Sequence, residues 1–241
     1  MKVKISFIIC AFQAEKTIEK CLKSILSQKG IPGGFEVILV DNNSSDRTIE
    51  IASRYSVHVT NCKKQGAAPS RNLGASLAKG DLLAFIDSDV VLDQDWTAIL
   101  SREIQSNYYI AAVGKNIPIS TDINFLDKYR YKLTKIKTQS TFISLKFAFP
   151  FSTIINSAAC LLKRKEFLYL NGFDETLSRF EDTELSFRMS QCGGNFIGSS
   201  KAISYVYYSG NLLNYLNRSW RNGISYPYFI SSLPLSLPQN I

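Results

Sequence analysis

Cysteine pairs, histidine and uninterrupted apolar stretches of bilayer length are all scarce in this chain of 241 residues. Its five cysteines, Cys10, Cys21, Cys62, Cys160 and Cys192, share no paired short spacing. That argues against a zinc site and a disulfide framework, and fits a reducing, cytosolic setting. The one histidine, His58, falls in a predicted strand far from the motifs described below and takes no role. No repeat, linker or low-complexity segment divides the chain, so one domain is expected. Residues 1–12 hold two lysines and a short apolar run, yet an amphipathic pattern follows where a secretory leader would have its cleavage site, so they read as a first strand. Residues 224–241 carry no charge, but Pro227, Pro234 and Pro238 make them a poor helix in lipid. This tail is expected to pack against the domain or lie at an interface.

What is present is ordinary globular composition, 45% hydrophobic and 20% charged, with a formal net charge of +8 and a pI near 9.2. The charge points to anionic partners: nucleotide diphosphates, acidic lipid headgroups or nucleic acid. Nucleic acid is the weakest of these, because the basic residues are not interleaved with exposed aromatics in a recognisable module.

Taken in order, Val3 to Cys10 has the length of a buried strand, and Ile18, Cys21, Leu22, Ile25 and Leu26 follow at the spacing of one helical face. Gly30, Pro32, Gly33 and Gly34 break the chain before a second strand, Phe35 to Val40, that ends at Asp41. Asn42 to Ser45 read as N-cap residues, and Asp46 as a first-turn acid, of a helix through Ile49, Ala52 and Tyr55. Val57 to Asn61 is a short strand, Gly66 opens a helix through Leu73 and Leu77, and Leu82 to Ile86 is a fourth strand. This alternation predicts an α/β fold, with a mainly parallel sheet and helices on both faces. A helix from Trp96 to Ile104, strands at 111–117 and 153–162, a turn at Gly172-Phe173-Asp174, a helix opened by Glu181-Asp182, and short apolar stretches at 195–197 and 202–208 complete the reading.

Asp87-Ser88-Asp89 stands directly after the fourth strand, at the sheet edge where chemistry collects in open α/β folds. Two carboxylates one residue apart suit a hard divalent cation bridging to phosphate oxygens. Read alone, the tripeptide more readily caps a following helix, with Asp89 solvated. The rest of the chain reverses that preference.

Five ordered blocks carry a resemblance: Ser6 to Gln13; Val40-Asp41-Asn42-Asn43-Ser44-Ser45-Asp46-Arg47-Thr48; Arg71-Asn72-Leu73-Gly74 with Ala78-Lys79-Gly80-Asp81; Asp87-Ser88-Asp89; and Gly172-Phe173-Asp174-Glu175 followed by Glu181-Asp182. Together they resemble the family 2 glycosyltransferases of GT-A fold, over about Lys4 to Tyr208. The resemblance implies a GT-A, Rossmann-like single domain spanning 1–223, with a nucleotide-binding half at about 1–117 and an acceptor half at about 118–223. It also implies an inverting transfer of one sugar from a nucleotide-diphosphate donor, UDP-sugar favoured, to a hydroxyl acceptor that is a saccharide or lipid-linked. Bacterial-type surface polysaccharide or glycolipid synthesis is the expected setting.

By the same resemblance Asp89 carries a divalent metal, Mg or Mn, and Asp87 lies in its shell or near the ribose, with Ser88 between them. Asp41 accepts a hydrogen bond from the base, Asn43 belongs to the same nucleotide pocket, and Arg71 lies near base or phosphate. Ala11, Phe12 and Glu15 wall the nucleotide, although ordinary loop packing explains Ala11 and Phe12 equally well. Asp182 is the candidate base, because an acceptor hydroxyl is a weak nucleophile and needs a carboxylate within reach. A helix start also favours acids for its dipole alone, which leaves Glu181 open.

Two departures stand out. Many relatives have a metal-ligating histidine after the last strand, whereas Tyr205-Val206-Tyr207-Tyr208-Ser209 has none, so water and phosphate oxygens would complete the shell. Asn42 replaces a second aspartate. The missing histidine motivates an alternative, a catalytically inert nucleotide-sugar-binding partner or regulatory module, while Asp182 argues against it. Between Asn124 and Gln139, Lys128, Arg130, Lys132, Lys135 and Lys137 form the basic face of a predicted amphipathic helix. It reads equally as a solvated face or as a dock on the anionic inner face of the cell membrane, which would make the protein cytoplasmic and peripheral.

Overall fold

Strand alternation decides the layers of this molecule. In β1 (Val3–Ala11) Ile5, Phe7 and Ile9 enter one buried cluster while Ile8 enters another; in β4 (Leu82–Asp87) Leu82, Ala84 and Ile86 separate from Leu83 and Phe85 in the same way. Because successive side chains of a strand point to opposite faces, a sheet with two apolar faces must be covered twice. The computed structural model describes residues 3–31, 33–105, 108–119, 142–145, 155–207, 220, 223–227 and 230–231. On the first face lie α1 (Ile18–Leu26), α2 (Thr48–Ala52) and α4 (Trp96–Glu103), through Ile18, Leu22, Ile25, Ala52, Trp96 and Leu100. The second face is covered by α3 (Ala67–Leu77), α5 (Arg164–Tyr169) and α6 (Glu181–Gln191), through Ala68, Ala75, Phe167, Leu185 and Met189.

With β2 (Gly34–Asp41), β3 (His58–Asn61), β5 (Val90–Leu92), β6 (Tyr109–Ile119), β7 (Phe142–Leu145), β8 (Ala159–Lys163) and β9 (Asn195–Tyr207), the sheet runs in the order β3-β2-β1-β4-β8-β6-β9-β5, with β7 also on β9. The part from β3 to β4 is parallel, as the alternating pattern predicts. Beyond it the sheet is mixed, because β8 enters antiparallel between β4 and β6.

Several local expectations need correction. The strand expected over 153–162 begins only at Ala159, after a turn in which Asn156 Oδ1 accepts from Ala158 N at 3.1 Å. The stretches at 195–197 and 202–208 belong to one strand, β9, whose register on β6 slips between Val113 and Lys115. Neither α5 nor β5 was legible, since six and three residues give too little periodicity. The α2 helix stops at Ala52, and Asn42 and Asn43 do not cap it; their amides reach the carbonyls of residues 62–64 instead. Asp46 serves the helix from outside its first turn, accepting from Thr48 N at 3.0 Å.

The predicted basic helix, including Lys128 to Lys137, lies outside the described residues, as does most of the tail. Of the tail, Tyr226 stacks edge-on against Phe180 with centroids 6.0 Å apart, and Ile230 packs with Leu177, so its described part lies against the domain. Among the described residues no helix is long and apolar enough to cross a membrane.

Candidate active site

The carboxyl ends of β1, β2 and β4 bring their loops to one edge, and α3 fixes a cation there. Gly74 lets that helix settle on the sheet, since a Cβ would strike Ile8 and sit 3.2 Å from Val40. One turn earlier, Arg71 is 4% exposed. Its Nη2 donates to Asp87 Oδ1 at 2.8 Å and its Nη1 to Glu181 Oε1 at 2.7 Å, while its guanidinium lies 5.6 Å from the Phe173 ring centroid. These carboxylates hold its proton even more tightly than usual, against the opposing effect of burial. Arg71 is therefore a fixed charge joining the two halves of the sequence.

The residue after it explains a second block. Asn72 Nδ2 donates to Phe173 O at 2.9 Å, and Asn72 Oδ1 accepts from Phe173 N at the same distance. This pair clamps a turn whose Gly172 has φ +70°, a conformation suited to glycine. Arg188 of α6 donates to Gly172 O at 2.7 Å from the other side. The Arg71-Asn72 and Gly172-Phe173 blocks are thus halves of one joint, and α6 starts from it.

Two cavities meet at Arg71, Asp87 and Ala67. One, of about 380 Å³, is walled by Ala11, Phe12, Asn42, Gly66 and Ser70. Phe12 is 57% exposed, which is unusual for so large an apolar side chain and leaves its ring open to a planar ligand. Cys10 also lines this cavity, but burial pushes its thiol up to about 12, so it is no nucleophile at neutral pH. The second cavity, of about 620 Å³, contains Asp89, Asn116, Ser157, Glu181 and Asp182.

Asp182 is the most perturbed carboxylate there. Burial raises it to about 7, with the Glu181 charge adding to the effect, while Arg71 and the backbone N–H groups of Thr183 and Ser157 act in the opposite direction. The Thr183 N–H donates to its Oδ1 at 2.7 Å. The helix start is held in an uncommon conformation, with Phe180 at φ +66° immediately before Glu181. A carboxyl near 7 that faces an open cavity is suited to take a proton from a hydroxyl.

Asp41 is wholly buried at the end of β2. Its Oδ2 accepts from Ser44 N at 3.0 Å and from Asn61 Nδ2 at 3.4 Å, whereas its Oδ1 has no partner among the described residues. Such a buried, unpaired acceptor is costly. Asp87-Ser88-Asp89 is anchored through the backbone: Asp87 N donates to Ala158 O at 2.9 Å, and Asp89 O accepts from Tyr207 N at 2.8 Å.

The cavity walls thus bring together Ala11, Phe12, Arg71, Asp87, Asp89 and Asp182, whereas Asp41 is buried at the end of β2 and lines neither cavity. Glu15, Asn43 and Ser88 are not in those walls. Glu15 faces Arg47 at 3.6 Å, and the Asn43 amide donates to Cys62 O at 3.2 Å; Asn42, not Asn43, is the wall residue. Asn116 and Ser157 were missed, because each comes from a strand or turn that carries no local signal. For a metal, Asp87 and Asp89 supply hard oxygen donors, but no group of three candidate ligands forms among the described residues. The set fits a hard divalent cation only if the remaining ligands come from diphosphate or water.

The family model described as glycosyl transferase family 2 matches residues 6–167, which contain four of the five blocks. The chain belongs to glycosyl transferase family 2. Among glycosyltransferases, AglE of Haloferax volcanii is 36% identical over 121 residues, covering 47% of this chain and 39% of AglE. Solved structures share the fold: S. aureus TarS 1-349 with UDP-GlcNAc superposes with a TM-score of 0.71 at 18% identity, covering 87% of this chain and 60% of TarS 1-349. The mannosyltransferase PcManGT from Pyrobaculum calidifontis, in complex with GDP-Man and Mn2+, gives 0.70 at 16% identity, covering 99% and 67%. The GT-A fold expected from the sequence is therefore present. The chain spans about two fifths of the length of AglE and about three fifths of that of TarS 1-349.

Proposed function

We propose that this chain is an inverting glycosyltransferase that moves one sugar from a nucleotide-diphosphate donor to an acceptor hydroxyl. The observation that carries the reading is Arg71, whose single guanidinium holds Asp87 in the donor cavity and Glu181 beside Asp182 in the acceptor cavity. Phe12 and Ala11 would cover the base, with Asp41 at the end of β2 as the acceptor that the family resemblance assigns to its N–H, a pairing that uracil allows. A UDP-sugar is thus favoured, consistent with UDP-GlcNAc in the TarS complex.

Asp87 and Asp89 would hold a divalent Mg or Mn, which when bound supplies countercharge to the diphosphate leaving group. Asp182 would take the acceptor proton as the hydroxyl attacks the anomeric carbon from the side opposite the diphosphate, giving inversion in one displacement. The proton ends on the Asp182 carboxyl and the bonding electrons leave with the diphosphate. Arg71 holds Glu181 beside the base, and the Glu181 charge helps Asp182 attract the proton.

The acceptor is a saccharide or a lipid-linked glycan of surface polysaccharide or glycolipid synthesis. The charge of +8 supports docking on an anionic inner leaflet, which makes the protein peripheral and cytoplasmic. The test is nucleotide release from a panel of UDP-, GDP- and dTDP-sugars without acceptor. Slow, metal-stimulated release is expected. Tight binding with no release at any metal concentration would instead mark an inert binding module.

A further inference from the structure

The donor cavity is walled on one side by the loop at residues 62–66, whose Gln65 and Gly66 line it together with Ala67. Asn42 shapes that loop from the donor half. Its Nδ2 donates to Cys62 O at 3.0 Å and to Lys64 O at 2.8 Å, and its Oδ1 accepts from Gly66 N at 2.9 Å. An aspartate at this position would have no N–H to give either carbonyl, so the asparagine found there suits the loop.

Lys64, in the middle of the loop, reaches out of the donor half altogether. Its Nζ donates to Glu175 Oε2 at 2.7 Å, across 111 residues of sequence. Glu175 is held on its other oxygen as well, where Oε1 accepts from Asn72 Nδ2 at 3.0 Å. The two amide hydrogens of Asn72 are thereby divided between Glu175 and Phe173 O, which makes the Glu175 carboxylate part of the joint at Gly172-Phe173. The Lys64 ammonium, and after it the Asn72 amide, hold the Glu175 carboxyl below its ordinary range, so it is ionised at neutral pH. An ion pair between two free surface side chains contributes little, because both must be ordered to form it. Here one partner is already fixed, and the freedom lost is that of the Lys64 side chain, 61% exposed.

On the reading that this cavity takes the nucleotide, we infer that Glu175 is a positioning residue for nucleotide binding, holding the loop at 62–66 through Lys64 in the shape that walls the donor cavity. Glu175 lines neither cavity, so its effect passes through Lys64 and the loop. The turn after Gly172 then serves both the helix that carries Asp182 and the wall of the nucleotide site.

The test is a double-mutant cycle on the whole chain, with UDP binding measured by calorimetry in the presence of manganese. Glu175→Gln and Lys64→Met should each weaken UDP binding by about two- to fivefold, the range open to such a pair. The double variant should be no weaker than either single one, and Lys64→Arg should bind UDP as the wild type does. The sign is diagnostic. If the two charges acted on the diphosphate only through their field, Glu175→Gln would bind UDP more tightly, since it removes a negative charge. A second readout needs no ligand: the Gly66 amide, bonded to Asn42 Oδ1, should exchange its hydrogen faster by about the same factor in Glu175→Gln and Lys64→Met, and at the wild-type rate in Lys64→Arg.

If one single variant fails to fold, the other still decides against Lys64→Arg. UDP affinity unchanged or improved in Glu175→Gln, losses that simply add in the double variant, or weakened binding with unchanged Gly66 exchange each overturn the positioning role and leave the nucleotide reading standing. A wild type that binds none of UDP, GDP and dTDP overturns the nucleotide reading, and the role with it, even where Gly66 exchange still depends on the pair.

Discussion

The two sides of the candidate site, proposed for donor and acceptor, are built by different rules. On the donor side Ala11, Asp41 and Asp87 each stand at the carboxyl end of a parallel strand, so one geometric rule aligns them. On the acceptor side Ser157 comes from a turn, Asn116 from a strand interior and Asp182 from a helix start, and antiparallel β8 separates them from the parallel strands. Strand geometry thus aligns the proposed donor residues at one sheet edge. The proposed base, Asp182, instead depends on a joint, Arg71 with Asn72, to bring α6 to that edge.

Breaking the joint gives the largest expected effect. Arg71→Met keeps much of the side-chain volume but leaves Asp87 and Glu181 facing each other without a cation. Loss of one partner of a buried pair costs about 3–5 kcal/mol, and the partial exposure of Asp87 places the result near the lower end. Urea denaturation of both proteins measures it; a loss below about 1 kcal/mol would show that the two sides do not rely on this residue.

Next in size is the separation of the two sides by function. Asp182→Asn preserves shape but cannot accept a proton, so single-turnover transfer should fall by on the order of a hundredfold or more while donor affinity persists. Near-full transfer by that variant would move the base to Glu181 or Asp174. Asp89→Ala should act on the opposite side, weakening manganese-dependent donor binding by about tenfold or more before any chemistry. Calorimetry with and without manganese compares the two variants directly.

The smallest effect sharpens the acceptor side alone. Asp182 has a folded pKa raised to about 7, so the native state binds the extra proton between roughly pH 4 and 7. Stability linked to this group is therefore fully present at low pH and declines as pH rises through 7. In chelator, the wild type should lose about 1–2 kcal/mol relative to Asp182→Asn between pH 5 and 8, allowing for screening by the open cavity. Parallel stability curves for the two proteins would contradict the perturbed carboxyl.

From the sequence alone came the repeated strand-helix units, the strand-end aspartates and the order of the five blocks, because local periodicity and turn residues are properties of neighbours in the chain. The resemblance that the blocks carry singled out Asp41, Arg71, Asp87, Asp89 and Asp182, of which all but Asp41 stand in the cavity walls. It could not place Asn43 outside the pocket wall and Asn42 within it, since which of two adjacent amides faces the cavity depends on the loop at residues 62–66. Nor could it reveal that Arg71 bridges Asp87 and Glu181, positions 16 and 110 residues away. The insertion of β8 between β4 and β6 and the raised pKa of Asp182 were likewise decided by tertiary structure. Each arises from burial and from contacts between distant segments, and neither quantity is encoded in any one stretch of the chain.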